Sequence, residues 1–190
     1  MRGRVRRTAG RTVAALAAFA LACAPDSRPP SVLLIVVDTL RADALGCYGA
    51  AGEPTPAIDR LADQGTRFLT ARTQSSWTLP SAATILTGLY PTEHGATGLG
   101  NAVSPDVSLL AERFRRRGHA TGAVVTHDLV GRPHGFERGF DFFDDELAAR
   151  HHQEHTSEEV ADRAVAWLES TRTPFFLLLH FFHKVCPGVL

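Results

Sequence analysis

Three apolar runs punctuate the chain, each long enough for a strand and too short for a buried helix. They are residues 32–37 (VLLIVV), 120–125 (ATGAVV) and 175–182 (FFLLLHFF). Runs of this kind, rich in β-branched or aromatic residues, suit strands buried on both faces, as in a parallel sheet. Between them the spacing turns helical. Residues 57–65 (AIDRLADQG) place apolar side chains three and four apart and end in glycine. Residues 80–88 open on proline and close on glycine, the usual asymmetry of a helix. Residues 107–117 predict another helix, stopped by Gly118. Thr156 and Glu159 have capping-box spacing for a helix reaching Thr171, with Val160, Ala164, Trp167 and Leu168 as its apolar stripe. A short strand is expected at residues 67–71. Strands alternating with helices indicate an α/β fold with a mostly parallel sheet and helices on both faces.

The first 23 residues differ in kind. Arg2, Arg4, Arg6, Arg7 and Arg11 form a positive leader, and residues 13–22 are an apolar run. That run is too short to span a bilayer and right for the core of a signal peptide. Ala20-Leu21-Ala22-Cys23 resembles a bacterial lipoprotein signal, in which the cysteine becomes the lipidated first residue. An ordinary cleaved signal and an uncleaved anchor are the alternatives. Residues 24–30 (APDSRPP) read as a tether. The expected product is exported, periplasmic or at the cell surface, and attached to the membrane through Cys23.

Composition narrows the function classes. With 44% hydrophobic and 21% charged residues the chain has the makings of a core and not of a disordered segment. Twenty basic residues balance twenty acidic ones, so no surplus of charge points to nucleic acid. Lys184 is the lone lysine, every other basic residue being arginine. Cys23, Cys47 and Cys186 fit neither a zinc site nor a disulfide framework.

Candidate chemistry lies where strands end. Ligands of open α/β sheets bind beyond the carboxyl ends of the strands, and Asp38 directly follows the first apolar run. A carboxylate there is either a ligand for a hard metal ion or a helix cap. In Ser76-Trp77-Thr78-Leu79-Pro80-Ser81, a helix starting at Pro80 leaves Thr78 just outside its N-terminus, beside free backbone N–H groups. The Thr78 hydroxyl is then either a nucleophile for a phosphorus or sulfur centre, activated by a metal, or a plain cap.

Several blocks in consistent order resemble the sulfatases of the alkaline-phosphatase superfamily. Val36-Val37-Asp38-Thr39-Leu40-Arg41-Ala42-Asp43 followed by Leu45-Gly46-Cys47-Tyr48-Gly49 looks like the family's opening block. Thr55-Pro56-Ala57-Ile58-Asp59-Arg60-Leu61-Ala62 resembles its next helix. Trp77-Thr78-Leu79-Pro80-Ser81, with Thr87-Gly88-Leu89-Tyr90-Pro91 and His94-Gly95, is similar to the segment bearing the nucleophile. Gly139-Phe140-Asp141 and the 175–180 strand also have counterparts. The resemblance implies that residues 31–182 are the N-terminal part of a catalytic domain hydrolysing sulfate or phosphate esters of a small molecule, glycan or lipid. It assigns Asp38 and Thr78 to a divalent metal ion (calcium, manganese or zinc) and Thr78 to the nucleophile, and it leaves Cys47 as buried packing.

Three departures from the family pattern bear on the reaction. Sulfatases oxidise a Cys or Ser at the nucleophile position to formylglycine, whereas Thr78 carries a methyl on Cβ and would give a ketone. No formylglycine is therefore expected, and an unmodified hydroxyl resembles the phosphoester branches of the superfamily. Ala82 stands where an arginine usually follows the Pro-Ser pair, and Thr39 where a second aspartate is common. His127 lies near the place of a substrate-contacting histidine, with an ordinary loop role as the alternative, and His94 is expected to be structural. His151-x-x-Glu154-His155 matches a zinc-protease string, but the helix start expected at Thr156 separates the two histidines. Residues 183–190 break the family pattern and read as foreign or out-of-frame sequence, with further metal ligands expected beyond residue 190. The competing expectation is an inactive fragment.

Overall fold

The computed structural model describes residues 29–52, 54–149, 157–171 and 174–182. The chain divides into two compact units, Met1–Pro30 and Ser31–Leu190, and the elements below belong to the second. In order they are β1 (Val32–Asp38), α1 (Pro56–Gln64), α2 (Thr78–Thr87), α3 (Pro91–His94), α4 (Leu110–Arg116), β2 (Ala120–Val125), β3 (Phe142–Asp144), α5 (Ser157–Ser170) and β4 (Phe175–Phe182). The sheet runs β1-β4-β2-β3 and every pairing is parallel. Among the described residues no helix is long and apolar enough to cross a membrane. The leader, the His151–His155 string, Thr156 and the 183–190 tail lie outside the described residues.

Side chains alternate across a strand, so register decides which helix each one meets. Val32, Leu34 and Val36 of β1 pair with Phe176, Leu178 and His180 of β4. The apolar members of this set pack into one core cluster with Leu79, Ala83 and Leu86 of α2 and Ala111 of α4. The other face of β4, Leu177 and Leu179, packs with Val124 of β2 and with Val160 and Ala164 of α5. Helices thus cover both faces of the sheet. On that second face Gly122 lets the indole of Trp167 lie against the sheet, for a Cβ there would stand 2.7 Å from the ring. Gly122→Ala should cost about 1–3 kcal/mol by overpacking, read as a lower denaturation midpoint with an unchanged slope.

Four expectations are corrected. The β1 run is not buried on both faces, since Leu33, Ile35 and Val37 remain 49%, 48% and 38% exposed. The reason is positional: among the described residues β1 has one strand neighbour, and α5 packs on β2 and β4. Residues 67–71 form no strand, because no sheet edge pairs with them, and Phe68 and Leu69 are exposed. Helix α2 begins at Thr78, two residues before the expected start, with Pro80 still in the first turn where its missing N–H costs nothing. Helix α4 begins at Leu110, because Glu112 reaches back to accept from the Leu109 N–H at 2.7 Å and fixes the start there.

Candidate active site

The site grows out of the register. Even-numbered residues of β1 and β4 share the face that carries α2, so Asp38, the last residue of β1, and His180 of β4 point to the same side. That side meets the N-terminus of α2. The Thr78 hydroxyl donates to Asp38 Oδ2 at 2.8 Å, across 40 positions of sequence. His180 Nε2 stands 3.6 Å from the same oxygen, an electrostatic contact longer than a hydrogen bond. Asp38 is 16% exposed and His180 is 3% exposed at their side chains. Asp38 and Thr78 are thus brought together as expected, and the capping alternative for Thr78 falls. Its residue is the first of the helix, Trp77 is the N-cap, and no side chain caps that end.

Charge at Asp38 is set by opposing effects. Burial pushes its carboxyl up, but the contacts from His180 and Thr78, with the Thr39 N–H, outweigh it and hold it below the usual carboxylate value. Asp38 is therefore an anion at neutral pH, which suits it to accept the Thr78 hydrogen bond and to face a cation. Just beyond it, Thr39 has a φ of 61°. A β-branched residue in the left-handed region is strained, and such strain persists where surrounding structure holds it in place. The chain turns sharply off the strand here, which ends the ladder at the carboxylate.

His180 is a site residue that the sequence reading used only as part of a strand. Among the described residues its Nδ1 is buried without a hydrogen-bond partner. Thr126 fixes the strand around it: its hydroxyl donates to the His180 carbonyl at 3.0 Å and accepts from the Phe182 N–H at 2.8 Å. A lone histidine inside the otherwise apolar run of residues 175–182 was the available signal. His127 follows Thr126 at the same end of the sheet. Its Nδ1 accepts from the Leu129 N–H at 3.1 Å, capping a short turn, and its ring meets Phe182 edge-on at 4.4 Å. Burial, with the nearby His180, pulls the His127 pKa down against the raising effect of Asp128 and Asp38.

The other named residues are scaffold. Ala82 is buried in the core, so α2 supplies no cation at that position. Cys47 is half-buried and not fully packed as expected, and burial together with Asp59 pushes its thiol pKa up. Asp59 clasps the opening block by accepting from the Cys47 N–H at 2.7 Å. His94 is fully buried; its Nδ1 accepts from the Ala96 N–H at 3.1 Å and its Nε2 faces Thr84 Oγ1 at 3.2 Å. Burial lowers its pKa from 6.5, so the folded state resists protonation while the unfolded chain does not. Stability should be full above about pH 6.5 and fall as pH drops below it, toward the depressed folded value. Thermal melts from pH 8 to 5 should show this slope, and it should shrink in His94→Asn.

As a metal site, this arrangement has the right donors in insufficient number. A carboxylate and a hydroxyl are hard oxygen ligands suited to a divalent ion, but calcium or manganese takes about six or more and zinc about four. Among the described residues no group of three or more His, Cys, Asp or Glu side chains could hold one. Asp38 and Thr78 fit as one wall of a site.

Comparison with known proteins agrees with the geometry. A family model for sulfatases matches residues 30–184. An N-acetylgalactosamine-6-O-sulfatase from Bacteroides thetaiotaomicron is 37% identical over 122 residues, 62% of this chain and 23% of that protein. A solved structure in complex with its substrate D-glucosamine-2-N,6-O-disulfate superposes with a TM-score of 0.69 at 23% identity, covering 81% of this chain and 34% of the other. The phosphonate monoester hydrolase of Agrobacterium radiobacter superposes with a TM-score of 0.65 at 24% identity, covering 82% and 41%. The chain spans 19–33% of the length of the first curated relatives it matches.

Proposed function

The chain belongs to the sulfatase family, and on that premise we propose that it carries the nucleophile of a metal-dependent hydrolase whose better substrates are phosphate esters. The observation that carries this reading is the 2.8 Å hydrogen bond from Thr78 to Asp38 at the carboxyl end of a parallel sheet. Thr78 Oγ1 attacks the phosphorus and the ester P–O bond breaks, the proton given up by the hydroxyl reaching the departing ester oxygen by way of water, so that it leaves as the alcohol. Water then cleaves the phosphothreonine and returns the hydroxyl. The first N–H groups of α2, unpaired within the helix, favour an anion at this place. His180 keeps Asp38 anionic and oriented, while His127 is a candidate for touching the ester through Nε2.

Members of the family generally use a divalent metal. Bound by Asp38 and Thr78, such an ion (calcium, manganese or zinc) would lower the pKa of the hydroxyl and offset the charge of the ester. An unmodified Thr78 supports phosphoester chemistry, because its Cβ cannot yield the aldehyde on which sulfatases with Cys or Ser depend. Relatives named for sulfated amino sugars support a glycan ester as substrate, with a lipid ester as the other class. The leader sequence supports export and attachment to a membrane through Cys23. The reading is tested by comparing kcat/KM for aryl phosphate and aryl sulfate esters, with each metal, in protein containing this chain. Phosphate esters should be preferred at least tenfold, and a preference for sulfate would overturn the argument from the threonine.

A further inference from the structure

Because all four strands are parallel, the sheet has one end where strands begin and one where they finish. The candidate site occupies the finishing end. Near the beginning end lies a concentration of positive charge that the reaction does not use. Arg113, Arg116 and Arg117 are exposed and, with Ser108, line a surface groove of about 390 Å³. Spacings of three and four bring their guanidinium groups to one side of α4. Arg117 precedes the first residue of β2 by three positions, which limits it to about 10 Å from the amino end of that strand.

Two of the neighbouring acids are occupied. Asp141 holds Arg115 at 2.9 Å, and Glu112 is turned back to the Leu109 N–H. Among the described residues no carboxylate pairs with Arg113, Arg116 or Arg117. Asp106, exposed two positions before Ser108, and Glu169, exposed in the last turn of α5, still leave the three arginines in excess. Cations in a final helical turn complement the helix dipole, but that effect does not require three arginines converging on one groove.

Chain connectivity adds a second argument. Residues preceding Val32 join the sheet at its beginning end, and Cys23 lies nine positions upstream, no more than about 30 Å along extended chain. We propose that the groove of Arg113, Arg116 and Arg117 binds phosphate headgroups of an anionic membrane surface and so turns the candidate site toward the solvent. The orienting role rests on the proposed lipid attachment at Cys23; the affinity of the groove does not. Arginine suits the task, since its planar fork meets a phosphate with two parallel hydrogen bonds.

The test uses the full 190-residue chain with three partners: phosphatidylglycerol–phosphatidylcholine vesicles, pure phosphatidylcholine vesicles and a sulfated polysaccharide. Amide hydrogen exchange should slow at residues 108–119 with the anionic vesicles alone, a local signal separate from any binding by the basic leader. Each arginine should contribute roughly fivefold, so Arg113→Gln/Arg116→Gln/Arg117→Gln should lower phosphatidylglycerol-dependent co-sedimentation on the order of a hundredfold. The protection seen in the unaltered chain should also fade with added salt, an arm that needs no variant. Protection by the polysaccharide and not by vesicles would overturn the lipid assignment in favour of a glycan site. Protection of residues 108–119 by anionic vesicles that is unchanged in the triple variant would overturn the groove. Mass spectrometry of the mature N-terminus should find lipidated Cys23, and an intact Met1 on soluble cytoplasmic protein would overturn the orienting role.

Discussion

Thr78→Ala should abolish ester hydrolysis in protein containing this chain, by on the order of a thousandfold or more in kcat/KM. Thr78 Oγ1 is held by Asp38 at 2.8 Å, and alanine removes the atom that forms the new bond. Thr78→Ser should retain activity within about tenfold, because it keeps the hydroxyl and loses only the methyl. That pair separates the nucleophile from the fold. The Thr78 side chain caps nothing, so neither variant should lower the melting temperature by more than a few degrees. A fully active Thr78→Ala enzyme would remove the threonine from the mechanism. Covalent trapping offers a second measurement: a rapidly quenched reaction should leave phosphate on the peptide containing Thr78, and none in the alanine variant.

Much of this architecture was legible because strands buried in a parallel sheet write themselves as unbroken apolar runs. Strands β2 and β4 fall on the expected residues, and β1 runs one residue further, to the aspartate itself. The limits are physical too. Strand β3 has three residues, too few for any period to register, and exists because Gly122, Ala123 and Val124 offer it a ladder. The exposed side of β1 could not be foreseen, since an apolar residue looks the same in sequence whether or not a neighbour covers it. Helix α2 starts two residues before its proline, because proline is favoured in the first turn generally and its position alone does not say which residue begins the turn. At the site, Asp38 and Thr78 were visible from their places at a strand end and a helix start. His180 was not, because its role depends on a pairing register, Val36 beside His180, that no local pattern encodes.

Asp38→Asn should remove the negative charge that faces a cation beside Thr78, with turnover lower by about a hundredfold or more. Asparagine keeps the shape and can still accept from the Thr78 hydroxyl, but it cannot offer a full negative charge to a cation. Metal affinity, measured by calorimetric titration, should fall by at least tenfold, a readout independent of activity. Stability gives a third signature with a definite sign. Contacts from His180, Thr78 and the Thr39 N–H hold the Asp38 pKa below 3.8 against the push of burial, so the folded state favours the anion. The stabilisation from that preference is complete above the unfolded pKa and disappears as pH falls through the folded value. The unaltered chain should therefore lose stability below about pH 4 more steeply than Asp38→Asn, whose acid limb lacks this contribution. Equal slopes in the two proteins would mean that the Asp38 carboxylate gains nothing from its neighbours. An unchanged metal affinity would mean that the ion is held elsewhere, and Thr78 would then need another activator.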